Sequence, residues 1–542
     1  MKKLLILSTA ALLFLTGCGG TLSKQDAKKE LEAFVRDIRP TDNTYAKSKN
    51  LAYLDDAQEL PDIEKTYPKT VEGQGNIDVE ILTSPEKAGS ANDGLFNEYA
   101  ETFNANHYTI DGKTVSVSIR SVPSGTASDY IATRTYNADA YSPSNTEWGA
   151  LTIAKGGRLE LIAEKTAGNT GGLLVKGDLY DTLNKDGKVD IKDVISQVEN
   201  GKTLGYTNPY SSSTGLSLLT QLLYEFDSAN PISENAKKKL AVFHKNIPTT
   251  FVTAQQLRDA AKHASMDMLS VSYQTYKNTP ELQDYKYLPM GIRHDNPIYA
   301  NAKLSAEKKE VLRKFVAFMQ EEQNRQKAKD FGFDALGDYT FNAPPTDGNM
   351  LLSMQKLWKD NKSAGKKQYT VFVIDRSGSM QGAPMNKLKE SMLNAIKYLP
   401  ETTDAGLVSY ASDVTINVPL TKMDTDGKQL LAGNIESIQP QGGTATYNAL
   451  FIAAKMLTDI KEKDPNALVS IMLLSDGEQN EGYGFDKAKR IVKALQIPIN
   501  TVDYNADLGQ LKEISSINEA ASLNADNDNI VYQLKQLFAA SY

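Results

Sequence analysis

The sequence predicts an α/β protein built from two parallel-sheet units in tandem. Short β-branched runs alternate with amphipathic helix patterns, an order that implies crossover connections and parallel pairing. The alternation starts twice, near residue 76 and again near 368, with a polar stretch between. At 542 residues the chain also exceeds one ordinary core, so two or three domains are expected.

In the first unit, Ile77-Asp78-Val79-Glu80-Ile81-Leu82 and Thr114-Val115-Ser116-Val117-Ser118-Ile119 read as strands. Between them Leu95, Tyr99 and Phe103 recur at four-residue spacing, as one helix face would. Asn208-Pro209-Tyr210-Ser211-Ser212-Ser213-Thr214-Gly215-Leu216 then opens an apolar helix carrying Leu218, Leu219, Leu222 and Leu223. Asn296-Pro297-Ile298-Tyr299 forms a further strand before Ser305. A helix bearing Val311, Leu312, Phe315, Phe318 and Met319 follows and runs out near Gly332.

In the second unit, Tyr369-Thr370-Val371-Phe372-Val373-Ile374 has the near-continuous apolar pattern of a strand buried on both faces. Met385, Leu388, Met392, Ile396 and Leu399 follow at helical spacing. Leu450, Ala453, Ala454 and Leu457 mark the inner face of another helix. Residues 468–474 and 499–504 supply more strands, and a final helix includes Leu534 and Leu537.

Composition narrows the function classes. The chain is 40% apolar and 23% charged, the balance of a soluble globular protein, with a net charge of −7. No basic face is evident, which excludes nucleic acid as an expected partner. Cys18 is the only cysteine, so no intrachain disulfide forms. His107, His244, His263 and His294 are scattered, with no pair at metal-ligand spacing, which argues against zinc.

The N-terminus reads as an address. Lys2 and Lys3 precede an apolar run from Leu4 to Leu15 that is too short to span a bilayer. It ends in Leu15-Thr16-Gly17-Cys18, which resembles the lipobox of bacterial lipoproteins. The resemblance implies cleavage before Cys18 and a lipid on its sulfur. Leu31, Phe34, Val35 and Ile38 could form one short amphipathic helix, and the rest of 18–75 is expected to be a tether.

Two look-alikes fail on inspection. Asn184-Lys185-Asp186-Gly187-Lys188-Val189-Asp190 with Asp193 copies part of a calcium loop, but Thr182 falls at the first ligand position, so a surface turn is expected. Gly201-Lys202-Thr203 ends like a phosphate-binding loop, yet Ser196 stands where the first glycine belongs.

The strongest motif is Asp375-Arg376-Ser377-Gly378-Ser379, in the turn at the C-terminal end of a buried parallel strand. Open α/β sheets bind ligands at such turns. Gln441-Gly442-Gly443-Thr444 opens a helix elsewhere, and Ser475-Asp476-Gly477 ends another strand. Asp375, Ser377, Ser379, Thr444 and Asp476 all offer hard oxygens, which suit Mg²⁺ or Mn²⁺. Three of the five are neutral hydroxyls, so the cation would stay electron-poor.

These five residues, in this order, resemble the metal-ion-dependent adhesion site of von Willebrand factor A domains, over residues 368–542. The resemblance implies a doubly wound, Rossmann-like parallel sheet. It also implies direct ligation by the serines and the threonine, and a partner protein that presents an Asp or Glu to the metal. Residues 76–340 resemble extracellular solute-binding proteins of the type II periplasmic-binding fold. The Thr214-Gly215-Leu216 turn, the Asn296-Pro297-Ile298-Tyr299 strand and Phe331-Gly332-Phe333 carry that likeness. It implies two lobes with a small solute between them, met by Ser124, Thr126, Ser211, Ser212, Ser213 and Thr214.

The expected organisation is a signal peptide (1–17), a lipidated tether (18–75), a two-lobed solute-binding-like domain (76–340), a linker (341–367) and an A domain (368–542). The expected place is the extracytoplasmic face of the cell membrane, with the solute-binding module nearer the bilayer. Metal-dependent binding of a protein is the leading expectation; the alternative is a solute receptor for an ABC-type transporter. Neither a general-base motif beside the metal loops nor a Gly-x-Ser-x-Gly turn occurs, so no enzyme is expected.

Overall fold

The computed structural model describes residues 22–42, 47–48, 60–185, 187–245, 247, 250–251, 257, 266–342, 346–477, 479–504, 513, 515, 522–524 and 530–541. The signal peptide and Cys18 lie outside the described residues.

The middle of the chain forms two lobes, each around its own sheet. One sheet orders the strands Lys69–Val71, Lys113–Ser121, Ile77–Thr83, Ala140–Ser142, Ile298–Asn301 and Leu159–Ala163. Ile77–Thr83 runs parallel to both of its neighbours, as strand–helix–strand order requires. The expected helix face is present in Leu95–Ala105, where Leu95, Tyr99 and Phe103 are buried. The other sheet orders Thr250–Phe251, Leu204–Thr207, Met268–Ser272, Thr170–Lys176 and Tyr285–Arg293. The chain passes to this second lobe after Ala163 and returns before Ile298. The helix Ser213–Phe226 lies against it and buries Leu218, Leu219, Leu222 and Leu223. The helix expected to run to Gly332 is two helices, Ala306–Met319 and Glu322–Asp330.

The C-terminal domain is a sheet in the order Thr41–Asp42, Val414–Lys422, Thr403–Tyr410, Gln368–Asp375, Leu468–Ser475, Ile499–Asp503 and Ser522–Asn524. Pairing is parallel except between Thr403–Tyr410 and Val414–Lys422, which form a hairpin. Both faces are covered, which explains the unbroken apolar run of the central strand. Phe372 and Ile374 face Ala383–Ile396, Thr425–Ser437 and Ile530–Ser541. Val371 and Val373 face Thr446–Lys463 and Phe485–Leu495.

The structure differs from the expected tether. Its amphipathic helix, Lys24–Ile38, is packed on the C-terminal domain, with Ala27 and Leu31 fully buried in that domain's core. Phe34 stacks on Phe451 at 4.9 Å and meets Tyr483 at 4.4 Å. Arg490 pairs with Glu30 at 2.7 Å, and Lys28 with Glu462 at 2.9 Å. Thr41–Asp42 then extends the sheet edge. The apolar face of this helix finds its partner in the C-terminal domain, so the N-terminal segment leads into that domain and not into the middle one. The later part of the same stretch joins the middle domain, where Arg120 Nη1 donates to Tyr67 O at 2.6 Å.

The expected linker is likewise structured. Gly348–Asn361 is a helix capped by Asp347, and it buries Leu351, Met354 and Trp358 against the middle domain. Trp358 Nε1 donates to Tyr206 OH at 2.7 Å, which fixes the helix by a buried polar contact. The calcium-loop look-alike uses its acids structurally. Asp190 caps Ile191–Glu199, and Asp193 pairs with Lys185 at 2.8 Å.

The packing of Lys24–Ile38 yields a direct test. Leu31→Ala should lower the stability of the C-terminal domain by about 2–5 kcal/mol, the range for an emptied leucine site, as a shift in its denaturant midpoint. A wild-type midpoint would show that the helix is not docked there.

Candidate functional site

Three loops meet at the C-terminal ends of the central strands of the C-terminal sheet. Asp375 ends Gln368–Asp375 and is fully buried. Its Oδ1 accepts from the Ser377 backbone N–H at 2.8 Å, and its Oδ2 accepts from Ser475 Oγ at 2.6 Å and Tyr410 OH at 3.2 Å. These bonds hold the carboxylate at the root of the loop. Ser377 Oγ lies 3.0 Å from Ser379 Oγ, and Ser379 Oγ donates to Asp476 Oδ1 at 2.9 Å.

The loop carrying Thr444 is stitched to the first loop through the backbone. Gly378 N donates to Gly442 O at 3.0 Å, and Gln441 N to Arg376 O at 2.7 Å. Thr444 itself is buried, and its N–H donates to Asn480 Oδ1 at 2.8 Å. Gly442 has φ +75°, a conformation side chains disfavour, and Ser412 Oγ lies against it. Glycine is therefore favoured at this tight approach.

The five sequence-predicted residues thus share one loop cluster, and four of them are linked through the contacts just described. Asp375, Ser377 and Thr444 form a buried rear, whereas Ser379 is exposed and Asp476 half-exposed. Burial raises the Asp375 carboxyl above its ordinary value. Burial also raises that of Asp476, and the charge of Asp375 adds to the effect. Two carboxylates this close are more readily ionised beside a cation, and the hydroxyls supply neutral oxygens around them. The donor set therefore fits a hard divalent ion. Among the described residues no group of three or more His, Cys, Asp or Glu side chains is placed to hold a metal. Tyr410 and Asn480, which orient the predicted ligands, were missed in the sequence because no motif spacing marks them, and Ser475 was named only as part of the strand end that carries Asp476.

The lobes of the middle domain are in contact in this structure. Gly125 N donates to Ser211 O at 3.2 Å across them, while within the first lobe Ser124 O accepts from Tyr141 OH at 2.9 Å. Of the six residues expected to meet a solute, all are buried, and three have hydroxyls committed elsewhere, with Ser211 Oγ donating to Asn208 O at 3.3 Å. Thr207 Oγ1 donates to Ser212 Oγ at 2.8 Å, and Tyr532 OH of the C-terminal helix lies 3.3 Å from Thr126 Oγ1. Ser213 Oγ, by contrast, has no partner among the described residues. The same is true of Asn145 Oδ1, Trp148 Nε1 and Asn208 Nδ2, all in buried side chains near this junction. No sequence pattern marks Asn145 or Trp148, and Asn208 is marked only as the start of the segment that opens the Ser213–Phe226 helix. Glu147 accepts from Ser217 Oγ at 2.8 Å, so it joins the two lobes directly.

Comparison with known proteins supports both halves. Residues 88–334 match the family model described as bacterial extracellular solute-binding protein, and residues 370–539 match the von Willebrand factor type A domain. Among curated proteins, inter-alpha-trypsin inhibitor heavy chain H2 of Sus scrofa is 30% identical over 183 residues, which is 31% of this chain and 19% of that protein. Heavy chain H4 of Bos taurus is 28% identical over 116 residues, 21% of this chain and 13% of that one. The chain therefore spans less than a fifth of either relative.

Among solved structures, iron-bound HitA from Pseudomonas aeruginosa is 13% identical, with a TM-score of 0.38, covering 53% of this chain and 99% of that one. A von Willebrand factor type A protein from Catenulispora acidiphila is 19% identical, with a TM-score of 0.30, covering 32% and 43%.

The Glu147 contact predicts a pH response. Desolvation pushes its carboxyl from 4.5 up to about 7, against the hydrogen bonds from Ser217 and Asn145. The folded state then holds this proton more tightly than the unfolded chain, so its contribution is greatest below about 4.5 and is lost as pH rises towards 7. The melting temperature of the middle domain should fall across that window, and Glu147→Gln should flatten the slope. An unchanged slope in the variant would assign the response to other groups.

Proposed function

We propose that this chain, which carries an extracellular solute-binding domain followed by a von Willebrand factor A domain, is an extracytoplasmic lipoprotein that binds a partner protein through a divalent cation. The observation that carries this reading is the convergence of Asp375, Ser377, Ser379, Thr444 and Asp476 on one loop cluster that is buried behind and open in front. When bound, Mg²⁺ or Mn²⁺ would supply a Lewis-acidic position for a partner's Asp or Glu.

The chain's own residues prepare that position. Ser475 and Tyr410 orient Asp375 by donating to its Oδ2. Asn480 fixes the Thr444 backbone, and Ser379 reaches Asp476 across two loops. With only two carboxylates among five donors, the ion keeps attraction for an outside acid. Neither domain family is enzymatic, and we read the chain as a binder.

A lipid on Cys18 would hold the chain to the membrane. No helix among the described residues is long and apolar enough to cross one. The docking of Lys24–Ile38 on the A domain supports an arrangement with the A domain next to the bilayer.

A second reading rests on a different observation. The partnerless buried polar atoms of Asn145, Trp148, Asn208 and Ser213 fit a small solute with several hydrogen-bonding groups. The chain would then serve as the receptor of an ABC-type transporter, with the A domain as an accessory. Native mass spectrometry of the whole chain, isolated from envelope, separates the readings: a retained small molecule favours the receptor.

Two outcomes test the leading reading. Asp375→Ala, or a chelator, should abolish capture of the envelope partner while the circular dichroism spectrum is retained; capture that survives both would end the metal bridge. Ser475→Ala should weaken Mg²⁺ uptake by about tenfold or more, the usual scale for losing a group that orients a ligand, as measured by calorimetry.

A further inference from the structure

We propose that a cavity between the linker and the A domain binds a multivalent phosphorylated anion. The cavity, of about 650 Å³, falls within the size range of small-molecule sites. Six lysines line it: Lys359, Lys362, Lys366, Lys367, Lys422 and Lys535. Only three acids do, namely Asp360, Glu401 and Asp404. Two of those acids are already engaged. Asp404 pairs with Lys367 at 2.7 Å, and Asp360 with Lys356, which is outside the lining, at 2.7 Å. Lys422 pairs with Asp424 at 3.7 Å, which in the count of charges sets Lys359, Lys362, Lys366 and Lys535 against Glu401. The cavity therefore carries an excess of positive charge in a chain whose overall charge is −7.

The lysines are held in place rather than merely numerous. Lys535 lies over the Tyr398 ring at 5.0 Å, and Lys362 over Trp358 at 5.1 Å. Lys366 Nζ donates to Lys245 O at 2.5 Å. Their mutual proximity has an electrostatic signature. Desolvation pushes Lys362 down to about 7 with help from Lys359, and Lys366 falls through desolvation together with Lys461 and Lys245. A bound anion would relieve both effects.

The donor type selects the ligand. No arginine lines the cavity, so recognition here would rest on point charges and not on the bidentate fork that arginine offers to carboxylate and phosphate alike. Lysine ammonium groups are point charges that suit the distributed oxygens of phosphoryl groups. Several of them around one volume call for more than one negative charge. The ligand would also bridge parts of the fold. Lys359 to Lys367 belong to the linker, Lys422 to the sheet hairpin, and Lys535 to the C-terminal helix. This assignment is independent of the metal reading.

Calorimetric titration of the full chain with inorganic pyrophosphate tests it, at fixed ionic strength and without divalent cations, which pyrophosphate would sequester. Saturable binding is expected, with affinity at least tenfold weaker in the Lys359→Gln, Lys535→Gln double variant. Lys359 is exposed and Lys535 half-exposed, and an unchanged melting temperature would confirm folding. A Lys362→Gln variant supplies a second reading at the cavity wall, again expected to weaken binding. Heats that do not saturate, or equal affinity in all the variants, would overturn the proposal.

The source of the phosphoryl group is separable with Cys18→Ser chain, which carries no lipid. Sedimentation with phosphatidylglycerol vesicles that pyrophosphate displaces assigns the group to a lipid headgroup. Pyrophosphate binding without vesicle binding assigns it to a free anion. Either result supports the site.

Discussion

The buried carboxylate of Asp375 sets the terms for the C-terminal domain. A charge at the end of a central strand, with no exposure, requires several hydrogen bonds or a cation close by. Ser475 and Tyr410 meet that requirement from the two flanking strands, and the Ser377 backbone N–H from its own loop. The same bonds join three strand ends whose register the backbone ladders set. The loops that begin there must therefore emerge together. Ser377, Ser379 and Asp476 are neighbours because the strands beneath them pair in parallel register, with the Asp375 carboxylate tying their ends.

The sheet that carries this carboxylate is completed from a distance in sequence. Its edge strand Thr41–Asp42 and one covering helix, Lys24–Ile38, come from the start of the chain, hundreds of residues before the central strand. Without that helix, Phe451 and the apolar side of Thr446–Lys463 would face water. Tyr483 extends the connection toward the site. Its ring packs on Phe34 and its hydroxyl donates to Asp37 at 2.6 Å, while its loop also carries Asn480, the partner of Thr444. The N-terminal helix thus supports one of the three loops directly.

What could be read from the sequence follows from range. Local patterns were legible: the strand at 369–374, the helix face of Leu95, Tyr99 and Phe103, and the leucines of Ser213–Phe226 all appear where spacing places them. The Asp-x-Ser-x-Ser turn was legible because its residues are adjacent in the chain and its chemistry is narrow. The docking of Lys24–Ile38 was not, since an amphipathic face shows that a partner exists but not which one. The same holds for the linker helix, whose Trp358 finds Tyr206 across 152 residues. In the middle domain the sequence offered only hydroxyls to go by. Hydroxyls are common at helix starts, and only tertiary structure reveals that Thr126 and Ser212 are committed to neighbours, whereas Asn145 and Asn208 retain unmatched atoms.

The commitment of Thr126 bears on how the two domains can act. Its partner, Tyr532, sits on the C-terminal helix, whose Leu534 and Phe538 are anchored in the A-domain core, with Phe538 edge-on to Phe372 at 6.0 Å. Thr126 itself lies on the helix Ser124–Thr133, whose first residues touch the opposite lobe at Ser211. A rigid helix therefore spans from beneath the central strand of one domain to the lobe junction of the other. Because the same helix also contacts the Thr250–Phe251 strand of the opposite lobe, parting the lobes must break one of its two contacts or pull on a helix packed against the strand that ends in Asp375. Neither is free of cost, because each breaks contacts that are fully desolvated here. The two domains are thus joined by more than a linker, and whichever ligand each of them takes, its binding has to be compatible with that shared helix.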